Sequence, residues 1–193
     1  QLMYVMKEYD PDMDQLLFYL PLSGSAFKKT YYDGLLQRAV SKFVSSEDCV
    51  INYMASSLED AVRITHTTKI DGNELRKQQV SGFYRDIPIT SGSVSTTDDV
   101  KEKIDELQGV SDNLASDDDE HVLLEMHVDA DVPGFEDQSG IKLPYIITVD
   151  QHSTKILSIK RNWFEQDQSR RRIDYFTHYK FLPGLGFYGF GLI

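Results

Sequence analysis

A chain of 193 residues with 40% apolar side chains can bury one core, or one core and a small annex. Its 20 Lys and Arg against 31 Asp and Glu give a formal charge of -11, which argues against the phosphate clamping that tight nucleic-acid binding requires from a basic stripe, though not against a wall past which DNA slides. The lone Cys49 excludes an internal disulfide and a cysteine-built metal centre, and no run approaches the roughly 18–20 apolar residues of a membrane-spanning helix.

In chain order, Leu2, Val5, Met6 and Tyr9 have the spacing of a helix tail. Asp10-Pro-Asp-Met-Asp14 reads as a break and restart, with Asp10 or Asp12 as N-cap and Pro21 as the stop. After a Ser23-Gly-Ser25 turn, residues 26–32 read as a strand. Asp33-Gly34 is a hairpin signal, and residues 38–44 supply the partner strand. Cys49–Tyr53 is a short apolar run expected to be buried, and Leu58-Glu-Asp60 a turn. Residues 62–70 alternate, with Val62, Ile64, His66, Thr68 and Ile70 on one face. Asp71-Gly-Asn-Glu74 has the form of a capping box, opening a helix through Leu75 and Val80.

Residues 88–120 read as a polar insertion. Ser, Thr and Gly dominate its start, and Thr96-Thr-Asp-Asp99 caps an amphipathic helix with Val100, Ile104 and Leu107 on one face. Its end is the acidic run Asp117-Asp-Asp-Glu120. The last third carries four strand signals. Residues 121–129 alternate, and Val122, Leu124, Met126 and Val128 are expected to face inward while His121, Leu123, Glu125 and His127 face solvent. Residues 143–150 and 156–163 form a hairpin about Asp150-Gln-His-Ser153, and 173–181 follow as a fourth strand. Together these predict an antiparallel β-meander. The fold class is α+β, mainly antiparallel sheet, with a few helices and a polar helical insertion. The segments are 1–87, 88–120 and 121–193.

Each cluster of reactive side chains has a structural explanation beside the chemical one. His121, Glu125 and His127 share a face and include zinc- or iron-type ligands, but His121 and Glu125 lie ~13 Å apart along a strand, so a solvated strand face is the better reading. His66 reads as a packed core histidine. Asp117-Asp-Asp-Glu120 lacks the ligand spacing and glycine of a calcium loop. Asp129, Asp131, Glu136 and Asp137 surround a Pro133-Gly134 turn, with nothing to gather them for two-metal chemistry. Cys49 has no histidine close in sequence. Ser23-Gly-Ser25 and Gly184-Leu-Gly186 are neither a nucleophile elbow nor a phosphate loop. Arg170-Arg-Arg172, with Lys160 and Arg161, is a basic patch best read as a solvated tip. No catalytic, cofactor-binding or metal-binding residue is assigned.

Both ends are apolar, at Leu2-Met-Tyr-Val5 and at Gly189-Phe-Gly-Leu-Ile193, which reads as an internal piece of a longer protein. Residues 184–193 are then expected to be locally disordered or paired with a neighbouring molecule. Two segments carry a family likeness. One runs Leu16-Leu-Phe-Tyr-Leu-Pro-Leu-Ser-Gly-Ser-Ala-Phe-Lys-Lys-Thr-Tyr-Tyr-Asp33 and on through Phe43-Val-Ser-Ser-Glu-Asp-Cys-Val50. The other is His178-Tyr-Lys-Phe-Leu-Pro-Gly-Leu-Gly-Phe-Tyr-Gly-Phe-Gly-Leu-Ile193. Arg63-Ile-Thr-His66, Glu74-Leu-Arg-Lys77 and Gly82-Phe-Tyr-Arg-Asp86 also fit. In order and composition the chain resembles the portal, or head-to-tail connector, proteins of short-tailed double-stranded-DNA bacteriophages and prophages. The likeness is weakest over 88–120.

That resemblance implies a structural virion protein with no cofactor and no chemistry of its own. The full-length parent would form a homo-oligomeric ring of twelve subunits at the capsid portal vertex, assembled in the host bacterial cytoplasm. Terminase, capsid and tail or adaptor proteins would be its partners, and DNA would pass through its channel without being gripped by this part. The chain would belong to the outer wing and, lacking stem and clip, would not make a ring alone. Two other readings are a metal-dependent nucleic-acid or phosphate-processing enzyme using the acidic and histidine clusters, and a tail or receptor-binding interaction domain.

Overall fold

The computed structural model describes residues 6–34, 36–89, 120–184 and 186–192. Residues 2–5 of the expected 2–9 helix tail and the capped helix at 96–107 lie outside them, as does most of the polar insertion; residues 6–8 of that tail are not helical. The order is α1 (Tyr9–Ser23), β1 (Ser25–Asp33), β2 (Arg38–Ser45), β3 (Cys49–Ile51), β4 (Arg63–Asp71), α2 (Gly72–Val80), β5 (Glu120–Ala130), β6 (Leu143–Asp150), β7 (Ile156–Arg161) and β8 (Phe176–Lys180). The strands form two antiparallel sheets, ordered β2-β1-β8 and β3-β4-β5-β6-β7. The α+β class with mainly antiparallel sheet is therefore the observed one.

The last four strands do not stay in one meander. β5, β6 and β7 are neighbours, but β8 leaves to pair with β1, from Ser25↔Lys180 to Lys29↔Phe176. Aromatic content explains the choice: β8 brings Phe176 and His178 onto the face of β1 that carries Phe27, where they join a core no meander edge would offer.

The chain divides into two compact units, each discontinuous in sequence. Unit 1 comprises Gln1–Thr67, Glu125–Ile147 and Ile159–Ile193; unit 2 comprises Thr68–Leu124 and Thr148–Ser158.

In unit 1, α1 starts one turn earlier than the acidic stretch suggests. Glu8 is the N-cap residue and Asp10, Pro11 and Asp12 fall in the first turn, where acids face the positive end of the helix dipole and a proline is tolerated. Freed from capping, Asp12 accepts a hydrogen bond from the Phe43 amide at 2.8 Å. Glu8 takes a paired contact from Arg38 at 2.7 and 2.8 Å. These side chains shield β2, an edge strand whose outward amides would otherwise be open to pairing. Pro21 does not stop α1. It sits inside the last turn, and the helix ends at Gly24, whose left-handed conformation (φ 75°) lets its amide reach the Leu20 carbonyl. The β1–β2 hairpin has the expected register, Asp33↔Arg38, but the left-handed residue of its turn is Gln37 rather than Gly34.

The core of unit 1 gathers Phe27, Val44, Cys49, Ile64, Phe176 and Phe187. Phe187 overturns the expectation of a disordered end. His178 packs against both Phe27 (4.5 Å) and Phe187 (4.6 Å), whose own rings lie 6.1 Å apart, Leu182 and Phe190 exchange backbone hydrogen bonds, and the Leu192 amide donates to Pro21 O at 2.8 Å. The segment packs within its own chain because its glycines let it come close. A Cβ on Gly189 would lie 2.5 Å from Gly24 O, and one on Gly191 2.5 Å from Leu22 O.

Unit 2 has a smaller core of Leu75, Leu123 and Leu157. α2 begins as expected: Asp71 accepts from the amides of Asn73 and Glu74. The 150–153 turn is also observed, with Asp150 Oδ2 accepting from the Ser153 amide (2.7 Å) and hydroxyl (2.6 Å).

Candidate functional site

The face of β5 expected to meet solvent is the buried one. His121, Leu123 and His127 are buried, while Val122, Leu124, Met126 and Val128 are only half-buried. The correction has a physical cause. β5 is the central strand of its sheet; Glu125 and His121 find partners far away in sequence, at Lys29 and Asp150, and His127 shares Glu125 with Lys29.

In unit 1 the partner is β1. Lys29 Nζ donates to Glu125 Oε1 at 2.6 Å, and His127 Nε2–H donates to the same oxygen at 2.8 Å. Lys29 also lies 3.4 Å from Nδ1 of His66, on β4. The rings of His66 and His127 both meet Phe176 edge to face. Burial alone would raise the Glu125 carboxyl. The hydrogen bond from His127 and the charge of Lys29 outweigh it and hold the group well below the carboxylate range. Burial, reinforced by Lys29, pushes the His66 imidazole down to about 4, so it is neutral and its Nδ1 accepts from the ammonium. Burial also draws Lys160 down to about 8, against the pull of Glu125.

Cys49 lies opposite His66 in the β3–β4 register. The sequence offers no such partner, yet the pair is not a nucleophilic dyad. Burial pushes the thiol up to about 12, only partly offset by Lys29, and at neutral pH no thiolate forms.

The second histidine of the expected trio goes elsewhere. His121, in unit 2, has Nδ1 3.6 Å from Oδ1 of the buried Asp150. The trio is thus divided between separate partners. Among the described residues no group of three His, Cys, Asp or Glu is arranged to hold a metal ion.

The acids around Pro133-Gly134 are also dispersed. Glu136 accepts from the Gly134 amide, and Asp137 pairs with Ser139 and Arg170. Ser139 first and then Arg170 hold the Asp137 carboxyl low. Asp129 lines an open cleft of about 340 Å³ with Glu59, Asp60 and Asp174. That cleft already contains a cation: the Arg172 guanidinium donates to Ala61 O and Leu58 O, both at 2.7 Å, and to Asp174. The basic run is accordingly not a free patch. Arg170 and Arg172 tie the chain together, and only Arg171 of the three extends into solvent. Of the acidic run, Glu120 alone is described, in an exposed pair with Lys69.

Sequence reasoning missed Lys29 as the centre of the polar cluster and Phe176 as its aromatic wall. The available signal was a lysine pair inside an otherwise apolar, aromatic strand, Ala26-Phe-Lys-Lys-Thr-Tyr-Tyr32, because a lysine buried there needs an acid. All these arrangements hold the fold. Exposed apolar side chains on α1 and the 181–192 segment include Leu17, Phe18, Leu22, Leu182, Phe190 and Leu192. No helix among the described residues is long and apolar enough to cross a membrane.

A scan against protein-family models gave no match, and a search of curated protein sequences gave none.

Proposed function

We propose that the chain is a structural part of a phage portal, in the outer wing of the ring through which double-stranded DNA is packaged and ejected. The observation that carries this reading is that the two segments with the portal likeness, about 130 residues apart in sequence, are one packed body. Phe27 of the first stacks on His178 of the second, β1 pairs with β8, and the glycine-rich tail lies on the end of α1.

The chemistry agrees with a scaffold role. Lys29, Glu125, His127, Arg170 and Arg172 serve internal pairs, and the net charge of -11 suits a part that does not grip DNA. In this role the terminase, capsid and tail proteins meet the ring at the capsid vertex, and the energy for packaging comes from the motor.

Electron microscopy of the full-length parent, expressed alone, tests the reading. Rings with a central channel are expected. Small particles without a channel would overturn it.

A further inference from the structure

The junction of α1 and β1 brings together three groups in the arrangement of an acyl transfer. Ser25 is completely buried, and its hydroxyl oxygen accepts from the Gly189 amide at 2.8 Å and lies 3.1 Å from Nε2 of His178. The hydroxyl proton needs an acceptor of its own, and Nε2 supplies it when the ring proton is on Nδ1. The reverse tautomer would give the oxygen two donors and leave a buried O–H without a partner. Burial, with Lys180 beside it, lowers the imidazole to about 4, so at neutral pH the ring is uncharged and able to take a proton. Packing against Phe27 and Phe187 fixes the ring. Ser25 and His178 are thus paired as a nucleophile and a general base. The third group is the Phe181 amide, which donates to the Gly24 carbonyl oxygen at 3.0 Å. Gly24 directly precedes Ser25, and closing Oγ onto that carbonyl carbon makes a five-membered ring, so the chain's own connectivity delivers the nucleophile. A glycine on the acyl side has no side chain to obstruct the attack. Complete burial closes Ser25 to outside substrates, but this carbonyl is already inside.

We propose that the Gly24–Ser25 peptide bond is a site of self-cleavage, with Ser25 as nucleophile, His178 as general base and the Phe181 amide as oxyanion donor. Ser25 Oγ attacks the Gly24 carbonyl carbon as its proton passes to His178 Nε2, and the Phe181 N–H meets the negative charge that develops on the carbonyl oxygen. The C–N bond then breaks. Its electron pair stays on the Ser25 nitrogen, which takes the proton from Nε2. The product is an ester of Gly24 on the Ser25 hydroxyl, beside a free Ser25 amine. Water hydrolyses the ester, leaving a Gly24 carboxylate and restoring the hydroxyl. The two pieces stay together, because Asp12 still holds the Phe43 amide and Glu8 still holds Arg38. The inference does not depend on the portal reading, since ring formation by the parent does not report on this bond.

Mass spectrometry of the denatured 193-residue chain, sampled over days at neutral pH, tests it. The 22.1 kDa species should give way to fragments 1–24 and 25–193, together heavier than the intact chain by one water. Hydroxylamine, which attacks an ester far faster than an ordinary amide, should quicken the loss and leave a hydroxamate on Gly24. Ser25→Ala should stay whole at this bond. Ser25→Cys, which forms a thioester instead, should part faster when a thiol is added. His178→Gln should slow the cleavage by about 100-fold or more. A contaminating protease would also cut Ser25→Ala, so cleavage of that variant between residues 24 and 25 overturns the inference. So does a native chain that stays whole with and without hydroxylamine, or cleavage that runs as fast in urea, where the three groups are apart.

Discussion

Cys49 and His66 face each other across β3 and β4, and neither activates the other. Burial, reinforced by Lys29 3.4 Å from the imidazole, keeps His66 neutral, while burial keeps the thiol protonated to about pH 12. The native protein at pH 8 should therefore react with a thiol reagent such as DTNB only as fast as it opens, and the same protein in guanidinium should react at once. Rapid native labelling would mean that the thiol is accessible and activated.

Glu125 is the shared acceptor of Lys29 and His127. Glu125→Gln leaves the ammonium of Lys29, 14% exposed, and the buried His127 without their carboxylate. Breaking such a pair from one side costs about 3–5 kcal/mol when fully buried, and about 2–3 is expected here because Glu125 retains some solvent contact. Glu120→Gln, in the exposed pair with Lys69, should cost under about 1 kcal/mol. Urea unfolding of both variants makes the comparison. Equal costs would show that the cluster does not hold unit 1 together.

The same cluster shows where sequence reading succeeds and where it stops. The Asp71 cap, the hairpin about Asp33 and the 150–153 turn depend on residues a few positions apart, and all were legible. The facing of β5 was not. Alternation assigns two faces to a strand, and Val122, Leu124, Met126 and Val128 make the apolar one look like the core side. The polar face is buried because Lys29 waits 96 residues away for Glu125 and Asp150 stands near His121. Pairings of that range are set by topology. Similarly, β8 carries a strand pattern that names no partner, and the stack of Phe27, His178 and Phe187 decides its sheet.

Two histidines give the stability of unit 1 a definite pH dependence. Burial with Lys29 lowers His66 to about 4, and burial with Lys180 lowers His178 to about 4, below the ordinary value of 6.5. The unfolded chain then binds more protons than the folded one between these values. Stability is full above about pH 6.5 and is lost as the pH falls toward about 4. The depressed Glu125 carboxyl acts in the same direction at still lower pH. Urea midpoints between pH 7.5 and 4 should fall steadily, and His178→Phe should flatten the slope. An unchanged midpoint across that range would contradict neutral, buried imidazoles.

Gly24, Gly189 and Gly191 let the 181–192 segment lie on α1. Gly24 also has a positive φ, so Gly24→Ala meets both an unfavourable backbone conformation and a collision with the tail. Gly189→Ala and Gly191→Ala meet backbone oxygens of Gly24 and Leu22, which cannot swing aside as a side chain would. Each variant should cost about 1–3 kcal/mol and loosen the segment. Gly34→Ala, with open space around the added methyl and no positive φ, should stay within about 0.5 kcal/mol. Limited chymotrypsin digestion reads the difference directly. Cleavage near Phe187, Tyr188 and Phe190 should quicken in the Gly24, Gly189 and Gly191 variants and hold at the wild-type rate in Gly34→Ala. Uniform resistance in all four would mean that close backbone approach does not fasten the tail.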